Sequence, residues 1–331
     1  MGVIRVATCQ FPVGARVGTN LAYITRHLHA AKKRGAQVAH FPEAALSGYA
    51  GTDFESFADF DWDELRQATA EVLEYARKAA IWVVLGSAHR LGGNHKPHNS
   101  LYIINDSGQI VDRYDKRFCS GGPDEQSGDL AHYSPGDHSS VWAINGVRCG
   151  ALICYDYRFP ELYREYKKQG VELVFHSFHA ANAPAERISA VGAAIGAQFA
   201  PLNRAATHTY PGITMPAAMT AAAACNYVWI SCPNSSAPQS CWPAFLVRAD
   251  GVTVGQLRRN RPGVLLTTVD TEQDIYDSTA AWRDRDRDRA LGACARQARA
   301  TTRQPSPAES GSQAWFPVAW NTSTGTGTRR K

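Results

Sequence analysis

Short apolar runs alternate along the chain with longer segments in which apolar residues recur every three or four positions, a pattern of strands interleaved with covering helices. Residues 3–7 read as a strand. A helix follows, with Thr19 and Asn20 as candidate caps, Leu21, Ile24, Leu28 and Ala31 on one face, and an end at Gly35. Residues 38–41 form the next strand, so the chain opens β-α-β, which implies parallel pairing under helical cover. A second helix starts at Asp63, carries Leu65, Ala68, Val72, Leu73 and Ala76, and gives way to an apolar strand at 81–86. Residues 99–104 and 109–113 make a hairpin around Asp106-Ser107-Gly108, and residues 141–144 and 147–153 make another around Asn145-Gly146. The intervening residues 120–137, rich in Gly, Pro and acids, read as a surface loop. Beyond the second hairpin come a helix at 161–168, a strand at 172–175, and an Ala-rich stretch at 182–226 that reads as two helices with an irregular connection. Strands at 227–231, 244–247, 252–257 and 264–269 complete the body, and no internal repeat is evident.

Three polar residues stand where strands end, the position at which open α/β sheets carry their sites. They are Glu43 after 38–41, Lys116 after the second arm of the first hairpin, and Cys154 after 147–153. A cysteine at a strand-to-helix junction near a helix N-terminus is expected to favour the thiolate. Each residue has a plain alternative: Glu43 as a helix-start acid, Lys116 as a solvated charge beside Arg117, Cys154 as a small buried residue. Together they supply a nucleophile, a general base and a fixed positive charge for an oxyanion, the parts that acyl transfer from an amide requires. His176 and His179 offer a Cys-His hydrolase as another reading, against structural or pocket-lining roles. Arg158 is a candidate for binding an anionic substrate or for pairing with an acid of its own segment.

Composition narrows the class. The 331 residues are 44% hydrophobic, ample for a proper core. The net charge of +5 belongs to the end of the chain, where residues 286–331 hold eight Arg/Lys against three Asp/Glu; residues 1–285 are balanced. A body without net charge argues against nucleic acid as a partner. The run 283–289 of alternating Arg and Asp reads as a solvated, salt-bridged segment, and beyond about residue 305 the Ser/Thr/Gly/Pro-rich chain reads as disordered. The eight cysteines show no CxxC and no paired Cys/His spacing, so neither a zinc site nor a redox pair is expected. Met1 leads straight into a strand pattern with no apolar leader, and no apolar run approaches the ~18 residues of a membrane helix. A soluble, cytoplasmic protein with reduced thiols is the expectation.

The strand-end residues sit in segments that can be compared with a known family. Phe41-Pro42-Glu43 with Gly48-Tyr49, Tyr114-Asp115-Lys116 with Pro135-Gly136-Asp137 downstream, and Cys154-Tyr155-Asp156-Tyr157-Arg158-Phe159-Pro160-Glu161 occur in that order. In these segments the chain resembles the nitrilase (carbon-nitrogen hydrolase) superfamily over about residues 3–270. The resemblance implies a four-layer α-β-β-α sandwich that pairs into a homodimer or higher homo-oligomer, and a Glu43-Lys116-Cys154 catalytic triad. It also implies a thioester intermediate, an oxyanion held by Lys116 and the Tyr155 backbone N–H, and no metal or organic cofactor. Many amidase members carry a second glutamate before the Pro-Gly. Six residues before Pro135 this chain has Asp129; either Asp129 or Glu125 takes that role, or the role is absent. Residues 182–226 are longer than the corresponding family segment, and Ala222 stands where the family's Arg-Ala-x-x-Asn has arginine, with Asn226 kept.

The expectation is a hydrolase domain at 1–285 followed by a basic extension at 286–331. Its reaction would cleave a non-peptide C–N bond of a small amide or N-carbamoyl compound, because the Tyr-Asp-x-Arg-Phe-Pro-Glu form of the cysteine segment is similar to the amidase and carbamoylase branches. Nitrile hydrolysis, or acyl transfer to an amine, is the alternative, and a non-catalytic scaffold is a third.

Overall fold

The periodicities resolve into β1 (Val3–Gln10), α1 (Val17–Lys33), β2 (Val38–His40), α2 (Trp62–Ala79), β3 (Trp82–His89), β4 (His98–Ile104), β5 (Ile110–Asp115), β6 (Val141–Ile144), β7 (Val147–Ile153), α3 (Pro160–Lys168), β8 (Leu173–Ser177), α4 (Ala185–Ile195), α5 (Tyr210–Asn226), β9 (Trp229–Cys232), β10 (Phe245–Val247), β11 (Thr253–Gln256), β12 (Gly263–Asp270) and a short α6 (Ala280–Arg283). This computed structural model describes residues 2–92, 95–182, 185–196 and 210–283. The basic extension, most of the Arg/Asp run, Cys294 and residues 183–184 and 197–209 of the Ala-rich stretch lie outside the described residues.

Two six-stranded sheets result, ordered β12-β1-β2-β3-β4-β5 and β11-β10-β9-β8-β7-β6. Parallel pairs occupy the middle of each, β1-β2-β3 and β7-β8-β9, and antiparallel strands flank them. Strand alternation explains the layering. Ile4 and Val6 of β1, with Val38, Val84 and Leu101, share one core with Leu152, Val174, Ile230 and Leu246 of the other sheet. Ala7, Cys9, Ala39, Val83 and Leu85 face the opposite way, onto Ile24 and Leu28 of α1 and Leu65 and Val72 of α2. The second sheet carries α3 and α5, through Leu162, Tyr163, Tyr166, Met215 and Met219. The expected four-layer α-β-β-α sandwich is the architecture observed.

One polar seam crosses the sheet-to-sheet core beneath Glu43. Thr8 Oγ1 and Ser231 Oγ lie 2.8 Å apart, His40 Nδ1 is 2.9 Å from Ser231 Oγ, and His40 Nε2 is 2.8 Å from Ser177 Oγ. Ser177 in turn donates to the Phe41 carbonyl at 2.8 Å. Each buried polar group is matched, so the seam pins the two sheets in register where β2 ends.

Two local expectations change. Thr19 and Asn20 do not cap α1, which begins at Val17 after an extended Arg16; Asn20 is buried and its side chain instead bridges Gly14 and the Leu46 carbonyl. Residues 120–137 are not simply a surface loop. They fold a short 3-10 helix, Gly128–Ala131, that takes Asp129 to 1% exposure, because Lys116 lies beneath it.

Candidate active site

Three strand ends converge on one buried cluster, and close backbone packing sets two of them. After β2 the chain turns along β3, with Phe41 N donating to the Val84 carbonyl at 3.0 Å and Leu46 N to the Gly86 carbonyl at 2.9 Å. A Cβ on Gly86 would stand 2.0 Å from the Pro42 oxygen and 2.8 Å from Ala44 N, so only glycine lets this turn lie flat on β3. That approach points Glu43 inward, fully buried. After β5, Lys116 N donates to the Asn99 carbonyl at 2.9 Å and Gly136 N to the Lys116 carbonyl at 2.8 Å. A Cβ on Gly136 would lie 2.4 Å from the Asp115 oxygen, which accounts for glycine in Pro135-Gly136.

Asp156 joins the third strand end to the second. Its carboxylate accepts from Ile153 N at 3.0 Å, from the Tyr114 hydroxyl at 2.8 Å and from Phe118 N at 2.9 Å, so one buried side chain ties the end of β7 to both flanks of Lys116. Burial still pushes its pKa up to about 6, against those three donors. Cys154 opens a tight turn, Cys154–Arg158, with φ +40°, a conformation that costs about 1–3 kcal/mol for a non-glycine residue and is held by its surroundings.

The cluster is tightly bonded. Glu43 Oε1 accepts from Lys116 Nζ at 2.8 Å and from Asn99 Nδ2 at 2.7 Å, and Oε2 accepts from His179 N at 2.9 Å. The Lys116 ammonium also lies 2.8 Å from Asp129 Oδ2, where Ser120 N donates at 2.8 Å, and the Tyr49 hydroxyl donates to the other Asp129 oxygen. The Cys154 thiol lies under the charges of Glu43, Lys116 and Asp129. Burial alone would lower Lys116, but Asp129 and Glu43 outweigh it and hold the ammonium well above its ordinary value. Burial would raise Asp129, but Lys116 keeps its carboxyl below the ordinary range. Burial, then the charge of Glu43, push the Cys154 thiol well up.

The last direction corrects the expectation of a resting thiolate. The first helical residues after β7 form the tight turn, and α3 begins only at Pro160, so the sulfur does not sit at an α-helix N-terminus. A carboxylate, not a helix end, dominates its surroundings. The resting group is a thiol.

Glu43, Lys116, Cys154 and Asp129 are thus brought together. Glu125 is not: it is exposed on the surface with φ +57°. Tyr155 directs its side chain outward, 38% exposed, with its ring edge-on to Phe159 at 6.0 Å, so only its backbone remains for the site. His176 lies with Nδ1 2.7 Å from the Tyr163 hydroxyl and Nε2 3.2 Å from the Cys154 carbonyl, facing its backbone rather than the sulfur. His179 pairs with Asp53, Nε2 to Oδ2 at 3.0 Å. Neither arrangement is a Cys-His dyad. Arg158 lies over the Tyr157 ring at 4.7 Å, while Asp156 spends its oxygens on the three donors named above. Asn226 Nδ2 donates to the Ala222 carbonyl at 2.9 Å, a bond within α5 rather than one to the cluster.

Asn99 and Asp53 carry no signal in the sequence as site residues, and His179, a Cys-His candidate there, joins the cluster through Asp53 and its own backbone instead. Tyr49 had been noted only within the glutamate segment. His179, two residues past β8, satisfied the same strand-end rule that selected Glu43, Lys116 and Cys154. Among the described residues no group of His, Cys, Asp and Glu is arranged to hold a metal ion, and no helix is long and apolar enough to cross a membrane.

Comparison with known proteins follows the same geometry. The family profile described as carbon-nitrogen hydrolase matches residues 5–275. The chain is 29% identical over 189 residues to nitrilase homolog 2 of Dictyostelium discoideum, covering 55% of this chain and 57% of that protein. It is 30% identical over 146 residues to 2-oxoglutaramate amidase of Bacillus subtilis, covering 44% of this chain and 53% of that protein. The chain therefore spans a little over half the length of these curated relatives. Among solved structures, an amidase from Nesterenkonia sp. AN1, bearing the acetamide moiety of fluoroacetamide at its active-site cysteine, superposes with TM-score 0.66 at 21% identity, over 89% of this chain and 96% of that one. That likeness is one of fold.

Proposed function

Since the chain belongs to the carbon-nitrogen hydrolase family, we propose that it hydrolyses the C–N bond of a small amide or N-carbamoyl compound through a thioester on Cys154. The observation that carries this reading is the buried Glu43-Lys116 contact of 2.8 Å, with the Cys154 thiol under the charge of the same carboxylate. The likeness to 2-oxoglutaramate amidase supports the choice of an amide over a nitrile.

The steps follow from the charges. Glu43 takes the thiol proton as sulfur attacks the carbonyl carbon, since the thiol is held protonated at rest. The carbonyl oxygen becomes an oxyanion, which the Lys116 ammonium and the Tyr155 backbone N–H would stabilise; one such donor is worth ~3–4 kcal/mol elsewhere. Asp129 opposite Glu43 keeps Lys116 charged and aimed. Glu43 returns its proton to the nitrogen, the C–N bond breaks, and ammonia or an amine leaves. Water then gives a proton to Glu43 and attacks the thioester, freeing the acid and restoring the thiol. Every group in the sequence belongs to the chain, so the reaction calls for no metal or organic cofactor.

We assign this activity to residues 1–285, acting as a cytoplasmic homodimer. The seven described cysteines are free thiols, which supports a reducing compartment. The test is product analysis across amides, N-carbamoyl compounds and nitriles, with and without an added amine. Amides or carbamoyl compounds should release ammonia or amine and a free acid. Turnover confined to nitriles, or products carrying the added amine, would overturn the reading.

A further inference from the structure

Beside the triad lies a buried pair that takes no part in the steps above. His179 and Asp53 are sealed from solvent, 3.0 Å apart. Asp53 also accepts from Tyr49 N at 2.9 Å and from Asn182 Nδ2 at 3.0 Å. The His179 ring stacks on the Tyr49 ring, centroids 5.2 Å apart at 17°, and His179 N reaches Glu43. The bonds close a ring, from Glu43 through Lys116, Asp129, Tyr49, Asp53 and His179 back to Glu43.

With a neutral histidine the ring carries two uncompensated negative charges, and an imidazolium would reduce them to one. Glu43, Asp129 and Asp53 are three buried carboxylates against the single ammonium of Lys116. Uncompensated buried charge is costly, and a site in that state would relieve itself by protonating a carboxylate. A protonated Glu43 could not act as a base.

We propose that His179 is a positioning residue for this site: held by Asp53 as an imidazolium, it is the second buried cation, and it keeps Glu43 ionised and ready for the Cys154 proton at neutral pH. This rests on the reading of Glu43 as the base. The groups facing the imidazole are Asp53, Tyr49 and Glu43 from the segment after β2, and Asn182 after β8, with Asp129 and Lys116 across the Tyr49 ring. Burial alone would lower His179, but Asp53 and then Glu43 outweigh it. His176, three residues earlier and also buried, has no carboxylate partner of this kind and is pushed down to about 3 by burial. The difference between the two histidines is Asp53.

Any substitution of His179 other than proline keeps the backbone bond to Glu43, so the side chain can be tested alone. The experiment is the rate of iodoacetamide alkylation at Cys154, followed by peptide mass spectrometry across a pH series, in the full chain. Two variants accompany the wild type: His179→Gln, which removes the cation, and Asp53→Asn, which removes the group that holds it. An opposite charge nearby shifts a carboxyl by ~1–3 pH units, so losing the imidazolium alone should move the acid limb of the profile upward by about one unit or more in His179→Gln, and by less in Asp53→Asn, where a negative charge leaves with the positive one. Histidine NMR of the wild type should show one imidazole titrating above the ordinary value and missing in His179→Gln. An unmoved acid limb in His179→Gln, or a His179 that is neutral across the neutral range, would overturn the proposal. A wild-type Cys154 no more reactive than a free thiol would instead sink the reading of Glu43 as base, so the two failures are told apart.

Discussion

Glutamine in place of Glu43 is expected to lower kcat/KM by ~10²–10⁴, the usual range for removing a general acid-base group. Size and shape are nearly kept, so the loss measures proton transfer rather than a cavity. The substitution is still not silent in the fold. Three donors converge on the carboxylate: Lys116 and Asn99 on one oxygen, the His179 backbone on the other. A glutamine has one acceptor oxygen, and set toward Lys116 it turns its own amide N–H against His179 N. That unmatched buried contact should cost about 1–3 kcal/mol, seen as a lower unfolding midpoint without loss of two-state behaviour. The two readouts separate the roles. A large fall in kcat/KM with a small fall in stability marks Glu43 as the base, whereas activity within about tenfold of wild type would remove it from the chemistry.

Lys116→Met should act most strongly on stability. It leaves Glu43 and Asp129 buried and facing each other without their shared cation, and breaking a buried pair in this way typically costs ~3–5 kcal/mol. Its pH dependence carries a sign that a packing defect would not. In the wild type Lys116 is held above its ordinary value, so its stabilisation is fully present below the unfolded-state value and fades only as pH rises through the folded one. Asp129 is held below its ordinary value, so its stabilisation is present above the unfolded-state value and is lost as pH falls through the folded one. Without Lys116, burial is free to raise Asp129, and the variant then gains stability when that carboxyl is protonated. Chemical denaturation of both proteins should therefore show the deficit shrinking from about pH 8 to about pH 5. A deficit constant across that span would mean that Lys116 contributes packing rather than charge.

What could be read beforehand and what could not divide along physical lines. Glu43, Lys116 and Cys154 stand at strand ends, and strand ends leave a local trace in the pattern of apolar runs. Asp129 was reached only through the family resemblance, with Glu125 as its alternative, and composition pointed the other way, since a loop rich in glycine, proline and acids reads as solvent-exposed. Its burial is imposed by a lysine thirteen residues upstream. Asn99, His179 and the segment holding Tyr49 and Asp53 come from separate stretches, and pairing between side chains so far apart leaves no periodicity to detect. The protonated thiol was missed for a related reason: a junction rule reads only the local chain, and the group that governs Cys154 is a carboxylate more than a hundred residues away.

The central claim is that Cys154 carries the acyl group. The most direct test is intact-mass analysis of protein quenched in acid during turnover of an amide, with peptide mapping of any adduct. The account predicts a mass gain equal to the acyl group, located at Cys154 and absent from Cys154→Ala. An adduct that persists in Cys154→Ala, or amide turnover by that variant at the wild-type rate, would contradict it.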